Sequence, residues 1–146
     1  MAELLGTVTA IEPLAQYQGK VYTQLVEVEL EEDLRYWLFD YDVVVGEANL
    51  SDEIQMTIGL IHDTLDWTRN PEAIPNIDPN GGKKSTNHEY TGEIISAITE
   101  EDTSGKEVVI DVGYGTVATT ISESDQIEEE DIITITTSRS TISSIE

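Results

Sequence analysis

The sequence predicts an all-β protein built as two small five-stranded β-barrel units in tandem, and three observations predict it. Apolar residues alternate with others over long runs: Ile54, Met56, Ile58 and Leu60 are separated by Gln55, Thr57 and Gly59, the period of a half-buried strand. Glycine, proline and asparagine interrupt such runs at short intervals, as turns between strands require. A skeleton also recurs. Gly6-Thr7-Val8-Thr9-Ala10-Ile11, a turn at Gly19-Lys20 and the run Val21 to Leu30 are matched by Gly92-Glu93-Ile94-Ile95-Ser96-Ala97, Gly105-Lys106 and the run Val108 to Val112.

Leu4 to Glu12 forms the first predicted strand, ended by Pro13 because proline has no N–H for the ladder, and residues 14–20 form a connecting loop. In Val21 to Leu30 the side chains of Tyr22, Val26, Val28 and Leu30 share one face, with Glu27 and Glu29 on the other. Tyr36-Trp37-Leu38-Phe39 opens a third strand with no polar face, so both of its sides must be covered. Gly46 to Glu53 is a loop or one helical turn, Ile54 to Leu60 a fourth strand, and a phase shift at Gly59 leads to a short fifth strand through Leu65 and Trp67. This order suits a small barrel of the oligonucleotide/oligosaccharide-binding (OB) or SH3-like kind.

Residues 68–89, with Pro71, Pro75, Pro79 and Asn80-Gly81-Gly82, read as a linker between a first unit, 1–67, and a second, 90–146. In the second, Gly92 to Ile98, Glu107 to Val112 and Thr116 to Ile121 are strands, the last two joined by the tight turn Gly113-Tyr114-Gly115. An acidic loop follows. Ile132 to Thr137 and Thr141 to Ile145 then finish the chain as two strands or one arm, and need a partner strand from their own unit or another chain.

Composition narrows the chemistry. Thirty Asp and Glu against seven Lys and Arg give a net charge of −23. The absence of cysteine excludes disulfides and thiolate metal sites, and the two histidines, His62 and His88, leave little for a Ser-His-Asp arrangement. No apolar run reaches the length of a membrane span, and the first residues lack a leader pattern, so a soluble chain in the cytoplasm or a virion is expected. The regular strand period argues against a disordered acidic tail. High salt reconciles the charge with a fold, because the Debye length falls to about 3 Å at 1 M. Scarce Lys, abundant Thr and no Cys resemble the composition of proteins from halophilic archaea and their viruses. That resemblance implies a habitat and no activity.

No motif points to an enzyme, and no cofactor or metal is expected. Gly81-Gly82-Lys83-Lys84-Ser85-Thr86 lacks the glycine spacing and following helix of a phosphate loop. Asp40 with Asp42, and His62 with Asp63 and Asp66, are oxygen and imidazole sets of the kind divalent ions take, but carboxylate pairs arise freely in so acidic a chain. Asn49-Leu50-Ser51 matches a glycosylation acceptor without an export signal to go with it.

The reading that follows is a non-enzymatic structural or interaction module of a larger assembly, a capsid-decoration or tail-associated protein being one form, with proteins or further copies of itself as partners. Tyr36, Trp37, Phe39, Ile133, Ile135, Arg139 and Ile142 are the expected partner-binding residues. The competing reading is an OB-type single-stranded nucleic-acid binder working at high salt, with Tyr22, Tyr36, Trp37, Phe39 and Tyr41 as stacking platforms. Few and scattered cations (Lys20, Arg35, Lys83, Lys84, Lys106, Arg139) weigh against it. One observation separates the two: a binder exposes aromatics on one barrel face beside Lys20, Arg35 or Lys106, whereas a module spends its apolar side chains at chain contacts.

Overall fold

A computed structural model describes residues 3–31, 34–61, 67–79, 88–99, 105–122, 127–137 and 139–145. Among them run the strands β1 (Leu4–Tyr17), β2 (Lys20–Glu31), β3 (Leu34–Asp40), β4 (Glu53–Ile61), β5 (Trp67–Arg69), β6 (Asn76–Pro79), β7 (His88–Thr99), β8 (Gly105–Asp111), β9 (Thr116–Ser122), β10 (Ile132–Thr136) and β11 (Arg139–Ile145). A single 3₁₀ turn, Glu47–Asn49, interrupts them. No helix among the described residues is long and apolar enough to cross a membrane.

Five strands close a barrel in the order β1-β2-β3-β11-β4, with β4 returning to β1 through Leu4↔Met56 to Thr7↔Glu53. The spatial run β4-β1-β2-β3 is a Greek key. Its last stave is the C-terminal strand: β11 lies antiparallel to β4 and parallel to β3 at Thr141↔Phe39. The partner that this Ile- and Thr-rich segment requires therefore comes from the N-terminal part of the same chain. From β4 the sheet runs on through β9, β8, β7, β10 and β5, and β6, inside the proline-rich stretch, pairs with β7.

The recurring skeleton is a recurring ladder. Gly6↔Ile54 in β1–β4 has its counterpart in Gly92↔Ile133 of β7–β10, and Val8↔Val28 in β1–β2 in Ile94↔Ile110 of β7–β8. Each register then slips at the same place, after Val8 and after Ile94. The two glycines are there for space. A Cβ on Gly92 would run into the Asp111 carbonyl and the Ile110 side chain, and one on Gly6 would press on Leu30 at 3.1 Å.

Alternation does the packing. In β4, Ile54, Met56, Ile58 and Leu60 are buried, and β3 buries Tyr36, Trp37 and Leu38 in succession, covered on both faces as its sequence demands. Full burial of a Val or Ile contributes about 1.5–3 kcal/mol. One hydrophobic cluster runs from Leu4 and Val8 through Met56 and Ile58 to Ile110, Ile133 and Ile135, so the described strands of both halves share a core.

Pro13 does not end the first strand. β1 continues to Tyr17, with Pro13 opposite Gln24 and a register slip directly after it. Beyond Val8 the outer edge of β1 has left β4, so the missing N–H faces no ladder there. The expected loop 14–20 is thus the tip of a two-stranded arm, turned at Gln18 and Gly19, whose φ values of 50° and 79° are those of a type I′ hairpin.

Candidate functional site

Of the seven residues expected to bind partners, Tyr36, Trp37, Ile133, Ile135 and Ile142 are buried in the chain's own core, and only Phe39 and Arg139 reach the surface. This burial has a simple physical origin: β11 and β10 find pairing strands within the chain. Asp40 is also buried, and its oxygens are committed. Oδ1 accepts from Val44 N at 2.9 Å, and Oδ2 from Val45 N at 3.0 Å and Gln24 Nε2 at 2.8 Å. It pins the loop after β3 and stands apart from Asp42, which is exposed. No group of three or more His, Asp or Glu suited to a metal occurs among the described residues. His62, Asp63, Asp66, Lys83 and Lys84 lie outside them.

Where the chain crosses between its N- and C-terminal parts sits a buried polar group. His88 Nε2 donates to the Trp37 carbonyl at 2.7 Å, which fixes the neutral tautomer with its proton on that nitrogen, and its ring meets the edge of Tyr36 at 4.8 Å between centroids. The Tyr90 hydroxyl donates to Ser140 Oγ at 2.7 Å. Burial lowers the His88 pKa, the Trp37 bond opposing it only in part, and burial raises both tyrosines well above their usual range. Neutral and packed between strands, these groups join β3, β7 and β11.

Exposed tyrosines cluster at the start of β2, the end of β3 and the arm beside them, while a separate cation–ring pair, Arg69 at 5.4 Å over Trp67, lies elsewhere, beside β10. Tyr17, Tyr22 and Tyr41 are exposed, at 66%, 49% and 60%. Lys20 Nζ stands 5.2 Å above the ring of Tyr22, and the Arg139 guanidinium 4.4 Å above that of Phe39. Phe39 and Tyr41 are neighbours, with centroids 6.1 Å apart. Two clefts meet along Tyr41 and Asp42. One, of about 510 Å³, is walled by Lys20, Tyr22, Thr23 and Val43. The other, of about 260 Å³, is walled by Phe39, Arg139, Thr141 and Ser143.

The pairing of charges sets this face apart. Arg35 pairs with Glu29 and Arg69 with Asp131, as cations in so acidic a chain are expected to do. Lys20 and Arg139 pair with no carboxylate among the described residues, and each rests on an aromatic ring instead. The arm is also bare of carboxylates, since no Asp or Glu occurs between Glu12 and Glu27. Tyr22, Phe39 and Tyr41 are legible in the sequence as stacking types. Tyr17 and Leu14 are missed because Pro13 reads as the end of a strand, although the acid-free run around them is a usable signal.

The loop that carries Tyr41 and Asp42 is strained. Val43 has a φ of 53°, a left-handed conformation that a β-branched residue rarely adopts. The bonds from Val44 N and Val45 N to Asp40 hold it there. Strain of this kind persists where surrounding contacts over-determine the backbone, and here it poses two exposed side chains over a cleft.

No family model and no curated protein matches the chain.

Proposed function

We propose that this chain is a non-enzymatic OB-type binding protein whose ligand is a single-stranded nucleic acid, taken at high salt on the face made by Tyr22, Phe39, Tyr41, Lys20 and Arg139. The observation that carries the reading is a pair of cations that form no ion pair among the described residues, in a chain of net charge −23, each stacked on an aromatic ring beside the exposed Tyr41. OB barrels are five-stranded Greek keys that bind on the face of their second and third strands and on the loops before the second and the fifth. Here Lys20 and Tyr22 lie on β2, Phe39 on β3, Tyr41 directly after it, and Arg139 at the start of β11, the fifth barrel strand. The recurring ladder supports reading β7 to β10, completed by the β4–β5 run, as a second unit of the same kind.

Stacking on an aromatic side chain contributes about 1–3 kcal/mol per base and needs no low salt. The electrostatic part is small: two phosphate contacts to a single strand give a log–log salt slope of about −1.4. Salt meanwhile screens the repulsion between the phosphates and the acidic remainder of the surface. Binding carried by rings rather than by charge is the form that suits a molar-salt environment.

Fluorescence anisotropy of a labelled twelve-nucleotide single strand, titrated with protein in 2 M KCl, tests this. Saturable binding that Tyr41→Ser weakens by about tenfold, the value of one stacked base, is expected. Duplex of the same sequence should compete poorly. An unchanged anisotropy at all protein concentrations up to several hundred micromolar would remove the reading.

A second reading, the assembly module, keeps one specific observation: the arm exposes Leu14 at 53% and Tyr17 at 66% within the run 13–26, which contains no Asp or Glu. Protein interfaces favour tyrosine and exclude charge from their centres. If the arm joins copies of the chain, light scattering in molar salt will give an oligomer that Leu14→Ser with Tyr17→Ser reduces to a monomer.

A further inference from the structure

Asp42 is the one carboxylate among the side chains lining either cleft, and it lines both. It is exposed and, among the described residues, makes no hydrogen bond or ion pair, although Lys20 shares one cleft with it and Arg139 the other. The site thus holds two donors of positive charge, a row of rings and a single pure acceptor with all its lone pairs unused. From this we infer that Asp42 selects the base, favouring guanine, and the inference rests on the single-strand binding proposed above.

The chemistry is that of matched donors. A carboxylate presents two acceptor oxygens side by side, and the Watson–Crick edge of guanine presents two adjacent donors, N1–H and the N2 amino group. Both bonds form at once, in the plane of a base stacked against Tyr41. Cytosine and adenine offer one amino donor next to a ring nitrogen acceptor, so the second carboxylate oxygen faces a lone pair. Thymine and uracil place carbonyls on both sides of their single N3–H and are disfavoured most. Single-strand readers address this edge because no complementary base occupies it. Lys20 and Arg139, one in each cleft, neutralise the phosphates on either side, so a carboxylate in the middle is tolerated next to a polyanion.

The test compares four unstructured twelve-nucleotide strands, d(TG)6, d(TC)6, d(TA)6 and dT12, by anisotropy in 2 M KCl, on the wild type, Asp42→Asn and Asp42→Ser. The full chain is used throughout, with circular dichroism to show that the variants fold as the wild type does. For the wild type, d(TG)6 should bind about tenfold more tightly than dT12, the discrimination of one bidentate base contact. Both variants should still bind dT12 and should lose most of that ratio. Equal affinity for all four strands in the wild type overturns the inference and leaves single-strand binding standing, as does a guanine preference that survives in both variants. Binding to none of the four overturns the reading beneath it as well.

Discussion

The ends of β3 and β9 occupy the same place in a repeated ladder and carry opposite kinds of side chain. Leu25↔Phe39 and Gln24↔Asp40 in the first have as counterparts Glu107↔Thr120 and Lys106↔Ile121 in the second, and Tyr41 corresponds to Ser122. Across the sheet, Arg139 lies opposite Ile61 and Gly59 opposite Thr141, so the chain position that gives β3 an arginine over its aromatic ring gives β9 a glycine. One backbone plan thus tolerates Phe-Asp-Tyr or Thr-Ile-Ser. The fold does not require the aromatic version, and a requirement that folding does not impose is best sought in binding.

The buried middle residue of each triplet shows what it takes to hold this end of the strand. Ile121 is held by the core alone, whereas Asp40 is held by three hydrogen bonds and in return fixes the loop through Val44 and Val45. Asp40→Ala should break this half of the comparison most heavily. It leaves two backbone N–H groups without their acceptor and the Gln24 amide with the Val45 carbonyl alone, a loss of about 3 kcal/mol, read as a drop in the midpoint of urea unfolding at constant salt. A midpoint within error of the wild type would show the loop to be held by other means.

Exchanging the surface residues should separate binding from folding. Phe39→Thr, Tyr41→Ser and Arg139→Gly together give β3 and β11 the side chains of the β9 side. Affinity for a single strand should fall about a hundredfold, since two stacking surfaces and a cation are lost. Tm should shift by only a few degrees, because the removed groups are exposed or half-buried. Equal loss of stability and affinity would mean that the aromatics serve the fold after all.

A smaller asymmetry lies at the start of β7, where His88 is packed in the crossing region. Burial holds its folded pKa below the ordinary value of about 6.5, so the unfolded chain binds the additional proton first. Stability is therefore complete above that value and declines as pH falls from it toward the depressed folded pKa. The titratable side chains in ring contact with it are Tyr36 and Tyr90, both neutral throughout this range. Thermal melts between pH 7.5 and 5.5 should show a falling Tm for the wild type and a flatter profile for His88→Gln. Parallel profiles would assign the decline to carboxylates instead.

What the sequence makes legible follows from local physics. Strand period places β2, β3 and β4 and the burial of Val26, Val28, Ile54, Met56, Ile58 and Leu60, though not that of Tyr22, which the period puts with Val26 and Val28 and which is exposed. The repeated glycines point to a recurring ladder, and both signals depend on neighbours two residues apart or on a close approach. The destination of β11 is not local. Closure of the barrel decides it, and for the same reason Tyr36, Ile133, Ile135 and Ile142 read equally well as core or as interface: an apolar face does not say which chain covers it. Pro13 misleads because proline reports only that one N–H is missing, and on an outer edge none is needed.

The smallest expected effect is also the one that probes how the site is posed. Val43 holds a φ of 53° at the junction between the buried Asp40 and the free Asp42. Glycine adopts that conformation without cost, so Val43→Gly removes local strain of about 1–3 kcal/mol while giving back most of it in unfolded-chain entropy and lost contact. A net gain of at most about 1 kcal/mol is expected in the unfolding free energy. Affinity should move the other way, falling severalfold, because a freed loop no longer presents Tyr41 and Asp42 in one orientation and must be ordered on binding. Opposite signs in the two measurements would identify the strain as part of the binding site. A gain in both would make Val43 an accident of the turn, and the aromatic end of β3 would then owe its geometry to Asp40 alone.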